Sequence, residues 1–247
     1  MGNIVFTGCS YTWGQSLWYH GNFENDIHPR DGMFYSSMIC TECMDYMVEN
    51  RFASQVSKHF GKESKVRAEN GGSNKSILHF CEEVIDSNTE LIIIQTTHFA
   101  RDNDLTINQQ IENFEKFVET TESKGIPVRF IHWMFSDVNK EECELIKNHN
   151  LFVQYFSENK LNSEIIRDRT ILLDGDFNFW KWTELGAAAK YYNSKKYSDV
   201  EKRTIVGYFG FPKNGVHRDT HFSLYGHNVV AKSIIDYIEK NKLFKNG

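Results

Sequence analysis

The sequence predicts an α/β protein built on a parallel sheet covered by helices, and three observations carry that prediction. Short apolar runs of strand length alternate with longer stretches of helical periodicity. The run Leu91-Ile92-Ile93-Ile94 is apolar at every position, as a strand buried on both faces requires. A long stripe from Leu224 to Ile238 repeats apolar residues at helical spacing, with Val229, Val230, Ile234, Ile235 and Ile238 on one face.

Five strands are expected, in order 2-1-3-4-5. They are Ile4-Val5-Phe6, Lys65-Val66-Arg67-Ala68, the Leu91 run, Val128-Arg129-Phe130-Ile131 and Thr170-Ile171-Leu172-Leu173. Helices fill the gaps. Phe52, Val56 and Phe60 repeat every four residues, with Gly61 as a stop; Ile77, Phe80, Cys81 and Val84 form a second stripe. Ile107, Ile111, Phe114, Phe117 and Val118 form a third, closed by Gly125. Two stretches fall outside this pattern and read as aromatic-rich insertions. Residues 15–47 hold Trp18, Tyr19, Phe23, Phe34 and Tyr35, and residues 174–215 hold Phe177, Phe179, Trp180, Trp182, Tyr191, Tyr192, Tyr208 and Phe209. Loops at the carboxyl edge of a parallel sheet are where such folds bind ligands. The insertions can therefore build a lid or groove there, or seal a satellite core.

With 247 residues the chain suffices for one domain, and a single domain over 1–247 is expected. The net charge of -5 and scattered Lys and Arg supply no basic face for nucleic acid; Lys195-Lys196 and Lys202-Arg203 read as solvated surface. No apolar run is long enough for a membrane span, and no secretory leader is visible, so a cytoplasmic location is expected. Phe6 stands where myristoylation of Gly2 would need Ser or Thr. Five cysteines form no disulfide framework, and Cys40-Thr41-Glu42-Cys43 lacks the second pair a zinc site needs. Asp174-Gly175-Asp176-Phe177-Asn178 starts like a calcium loop, but Phe179 takes the place of the required Gly and Leu185 that of the required Glu. No metal and no cofactor are called for.

The residues that carry chemistry lie at the two ends of the chain. Gly8-Cys9-Ser10-Tyr11-Thr12-Trp13-Gly14 follows the first strand, where a tight turn can expose the Ser10 hydroxyl. A serine is inert without a base in reach. Asp219-Thr220-His221, just ahead of the last helix, supplies one: His221 can take the proton while Asp219 orients and stabilises the ring. His217 is a rival base or a supporting group, and His132 stands at a strand end.

These blocks together resemble the SGNH/GDSL hydrolase superfamily, in particular a branch whose first block reads G-C-S-[FY]-T-x-G. Residues 8–14 match that block directly, and Asp219-x-His221-x-x-x-x-Gly226-His227 resembles the last one. Asn70-Gly71-Gly72-Ser73-Asn74 resembles the second block, and Gln95-Thr96-Thr97-His98 through Arg101 stands where the third belongs. The resemblance implies a flavodoxin-like three-layer fold and a serine esterase acting through an acyl-enzyme. The expected substrate is a small-molecule or carbohydrate ester, an acetylated sugar being one candidate. It also implies an oxyanion hole built from the backbone N–H groups of Ser10 and Gly71 and an Asn side chain.

The chain departs from the family at three places. Cys9 replaces the Asp of the G-D-S form, Asp219 stands two rather than three residues before His221, and the third block has Thr97 or His98 where Asn is usual. Asn74 is therefore the expected side-chain donor, with Asn103 as the alternative. Trp13, Thr97, His98 and Arg101 are candidate substrate contacts, Arg101 for an anionic group or else a surface salt bridge. Two alternatives remain at this stage: acyl transfer at the same site, and a non-catalytic ligand-binding module on a hydrolase fold.

Overall fold

The computed structural model describes residues 2–14, 17, 41–69, 71–97, 101–132, 163–171 and 224–244. Their sheet is parallel, with strands β1 (Asn3–Gly8), β2 (Glu63–Ala68), β3 (Thr89–Thr96) and β4 (Val128–His132) in spatial order β2-β1-β3-β4. Phe6 pairs with Val66 on one side and Ile93 on the other, and Ile94 pairs with Phe130. The chain steps outward from β1 in both directions, so the reversal of strand order lies between β1 and β3.

The described sheet has four strands, not the expected five. At the fifth position the described residues show one parallel bridge, between Phe130 and Thr170, held by Phe130 N–H to Arg169 O at 2.9 Å and Ile171 N–H to Phe130 O at 2.8 Å. Leu172 and Leu173, the rest of that expected strand, lie outside the described residues.

The helices are α1 (Ser10–Trp13), α2 (Thr41–Asn50), α3 (Phe52–His59), α4 (Asn74–Val84), α5 (Ile107–Glu122), α6 (Glu164–Asp168) and α7 (Leu224–Asn241). Successive side chains of a strand point to opposite faces, and the core divides accordingly. Ile4, Phe6, Leu91, Ile93 and Ile131 pack with Phe52, Val56, Val230, Ile234 and Ile238, so α3 and α7 cover one face. Val5, Ile92, Ile94, Val128 and Phe130 pack with Ile77, Cys81, Ile111, Phe114 and Val118, so α4 and α5 cover the other. The result is a three-layer sandwich.

The helix starts are capped where the sequence offers acceptors. Ser73 and Ser76 form a reciprocal capping box on α4, and Thr106 and Gln109 form one on α5. Gly61 and Gly125 follow the ends of α3 and α5 as the sequence places them. Helix α2 occupies the end of the expected first insertion; the aromatics singled out above in the two insertions lie outside the described residues. Among the described residues no helix is long and apolar enough to cross a membrane.

Candidate active site

Strand β1 runs straight into α1, so Ser10 becomes the first helical residue, off the carboxyl end of β1. The ends of β2 at Ala68 and β3 at Thr96 lie on the same edge, which therefore carries Ser10, Gly71 and Thr97 together, as expected. Ser10 is buried, and its Oγ lies 4.0 Å from Cys9 Sγ, which can accept from it. The turn closes at Gly14, whose φ of 93° lies in the left-handed region and whose N–H reaches Ser10 O at 3.0 Å. Arg51 packs beside that glycine: a Cβ at Gly14 would sit 3.2 Å from Arg51 Cβ. Burial pushes the Arg51 guanidinium down to about 10.

Gln95, near the end of β3, aims its side chain into the turn. Its Oε1 accepts from Cys9 N–H at 3.3 Å, Thr12 N–H at 3.2 Å and Thr12 Oγ1 at 2.8 Å. Its Nε2 donates to Cys9 Sγ at 3.2 Å and to Thr96 O at 3.0 Å. The block expects no role for this residue. The signal for it was a glutamine directly after four apolar positions of a buried strand, since a buried amide must find partners.

The second and third blocks brace each other. Asn74 accepts Thr97 N–H on Oδ1 at 2.8 Å and donates from Nδ2 to Thr97 O at 3.1 Å and Gln110 Oε1 at 3.0 Å. An amide nitrogen has two hydrogens, and both are committed. Asn74 is thus a strut that fixes the end of β3, not the oxyanion donor expected of it. Neither does it cap α4, a task that belongs to Ser73. Arg101 donates to Gly72 O at 3.0 Å and so pins the second-block turn. Asp102, also buried, accepts Lys75 N–H at 3.1 Å in the first turn of α4. The alternative donor, Asn103, lies exposed in the turn that follows.

Thr97 is buried, and Trp13 is half-buried at the end of α1. His98, His217, Asp219 and His221 lie outside the described residues. The helix that follows them is well anchored. His227 of α7 is fully buried, stacks on Phe52 at 5.7 Å and accepts Phe52 N–H on Nδ1 at 3.2 Å. That N–H belongs to the first residue of α3, whose other end hands over to β2 at the amino edge of the sheet. The start of α7 is therefore tied to the carboxyl edge, the one that carries Ser10. Among the described residues no group of three His, Cys, Asp or Glu side chains could hold a metal ion.

No family model and no curated protein matches the chain. Among the solved structures similar to the chain over nearly its whole length are three. One is a protein described as lipolytic, of the G-D-S-L family, from Desulfitobacterium hafniense DCB-2, at 11% identity, TM-score 0.48, 96% of this chain and 99% of its own. The second, described as a platelet activating factor from Streptococcus pneumonia, has 12% identity and TM-score 0.42 over 96% of this chain and 84% of its own. The third is a carbohydrate esterase whose active site is described as having divergent catalytic and non-catalytic binding functions. It shares 14% identity at TM-score 0.44, over 97% of this chain and 65% of its own.

Proposed function

We infer that this chain is a serine ester hydrolase with Ser10 as nucleophile. The observation that carries the reading is the seat of Ser10: the first residue of a short helix springing from the central strand, at the carboxyl edge, beside the reversal of strand order. An acyl ester entering there meets the Ser10 hydroxyl. His221 takes the proton as Oγ attacks the acyl carbon, and returns it to the leaving alcohol. Asp219 holds the ring and stabilises its protonated form. Water, activated by the same His221, then releases the acid from the acyl-enzyme. The backbone N–H groups of Ser10 and Gly71 are the donors for the oxyanion, with Asn74 spent elsewhere.

Support for His221 comes from its place in the chain, six residues before His227, whose ring is hydrogen-bonded at the carboxyl edge. The substrate class is an O-acylated small molecule or carbohydrate. The reaction needs no cofactor.

A fluorophosphonate probe tests the reading. It should modify Ser10 in the intact protein and fail in Ser10→Ala and His221→Ala variants that keep the circular dichroism of the parent. Short acyl esters and acetylated sugars should release free acid with the same dependence. A parent protein that takes no label and hydrolyses no ester would overturn it.

A further inference from the structure

We propose that Gln95 is the positioning residue of this site, capping in trans the helix that begins with Ser10 and thereby fixing the nucleophile. The proposal rests on the reading of Ser10 as nucleophile. A helix start leaves its first N–H groups without intrahelical acceptors, and the residue before it normally supplies a side-chain oxygen to the N–H of the second or third helical residue. Here that preceding residue is Cys9, which has the extended backbone of a cap but makes no capping hydrogen bond through its side chain. A thiol is a weak acceptor.

The third helical residue is Thr12, and its N–H goes to Gln95 Oε1 at 3.2 Å. The oxygen of a neighbouring strand thus does what a Ser or Asp at position 9 would do. Two further donors, Thr12 Oγ1 and Cys9 N–H, converge on the same atom, which identifies it as the amide oxygen. Its nitrogen is fixed in turn by Thr96 O and Cys9 Sγ. Gly8 leaves the space for this contact: a Cβ there would lie 2.2 Å from Thr12 Oγ1 and 2.8 Å from Gln95 Oε1. One amide therefore accounts for the Gly, the Cys and the Thr that surround the serine. It ties them to the strand whose end Asn74 locks through Thr97.

The test is the rate of Ser10 phosphonylation and the kcat and KM of ester hydrolysis, each per folded molecule, in four variants. Gln95→Met, similar in volume and without the amide, should lose about a hundredfold in labelling and kcat, as a displaced nucleophile does, with KM nearly constant. Thr12→Val should lose about tenfold, and Thr12→Ser, which restores the hydroxyl, should stay within about twofold of the parent. Adding Cys9→Asp to Gln95→Met should recover about tenfold, because an aspartate at the cap position takes over the Thr12 N–H. The proposal is overturned if Gln95→Met melts lower yet its folded molecules label at the parental rate, or if the Cys9→Asp addition restores nothing. Failure of the hydrolase reading itself looks different: the unmodified protein is then inert before any variant is compared.

Discussion

Replacing Asn74 by Ala separates two roles for one amide. In the structure the side chain is 1% exposed and makes three hydrogen bonds, to Thr97 N–H, Thr97 O and Gln110 Oε1. Removing it strands the backbone N–H and C=O of Thr97 in the interior. Gln110 keeps its bond to Leu105 O. Each stranded group costs about 1–3 kcal/mol, so a total near 3 kcal/mol is expected. In a protein of this size that lowers Tm by about 6–12 °C. Thermal melting followed by circular dichroism measures the loss, and phosphonylation of Ser10 well below the transition measures the site. The strut reading expects a large drop in Tm and labelling within about tenfold of the parent. Unchanged Tm with labelling down about a hundred- to a thousandfold would show that the amide faces the oxyanion, and would refute the assignment.

Three further outcomes follow from contacts already described or from the surface around Asp86. Gly8→Ala drives a methyl into Thr12 Oγ1 and Gln95 and should cost about 1–3 kcal/mol of stability, read from urea melts, together with most of the labelling at Ser10. Lys65 Nζ at 2.6 Å and Asn3 Nδ2 at 2.9 Å hold the Asp86 carboxyl well below the usual carboxylate range. A depressed carboxyl stabilises the fold above its unfolded pKa and loses that contribution as pH falls toward the folded one. Tm of the parent should therefore decline more steeply below about pH 4 than Tm of Asp86→Asn. A parallel decline in both proteins would remove Asp86 from the acid limb. His227→Phe keeps the ring against Phe52 but removes the acceptor at the start of α3; a loss of about 1 kcal/mol in equilibrium unfolding is expected, and none if the bond is incidental.

The sheet was legible where burial is two-sided. Ile4 to Phe6 and Leu91 to Ile94 are apolar at every step because helices cover both faces. Strand β2, at the sheet's edge and half-buried, starts two residues earlier than its apolar core suggests, at Glu63. Helices α3, α4, α5 and α7 show a stripe long enough to count, whereas α1 and α6, of 4 and 5 residues, are too short for a period to register. Helix α2 buries Met47 and exposes Val48, and most of it falls in the stretch 15–47 read as an insertion.

At the site, motif order placed Ser10, Gly71 and Thr97 on one edge. It could not say where an amide points. One partner that occupies Asn74 is Gln110, 36 residues downstream on another helix, and the Thr12 and Cys9 partners of Gln95 lie 83 and 86 residues upstream. Such pairs are set by packing between layers, which local patterns do not encode.

The two faces of the sheet differ in when they can close. Helices α4 and α5 lie between the strands they cover, so that side can assemble as soon as β4 has left the ribosome. The opposite side needs α7, whose His227 meets Phe52 across 175 residues of chain. At ordinary rates of translation that interval lasts roughly 10–35 s. From the time Leu91 and Ile93 are made until α7 follows, the apolar face of Phe6, Leu91 and Ile93 lacks the cover that Val230, Ile234 and Ile238 give it, and it is open to chaperones and to other nascent chains. The sealing of this layer waits for α7, and with it the delivery of the proposed base to the serine; the proposed nucleophile's own turn, built from residues 8–14 and 95, can be in place long before.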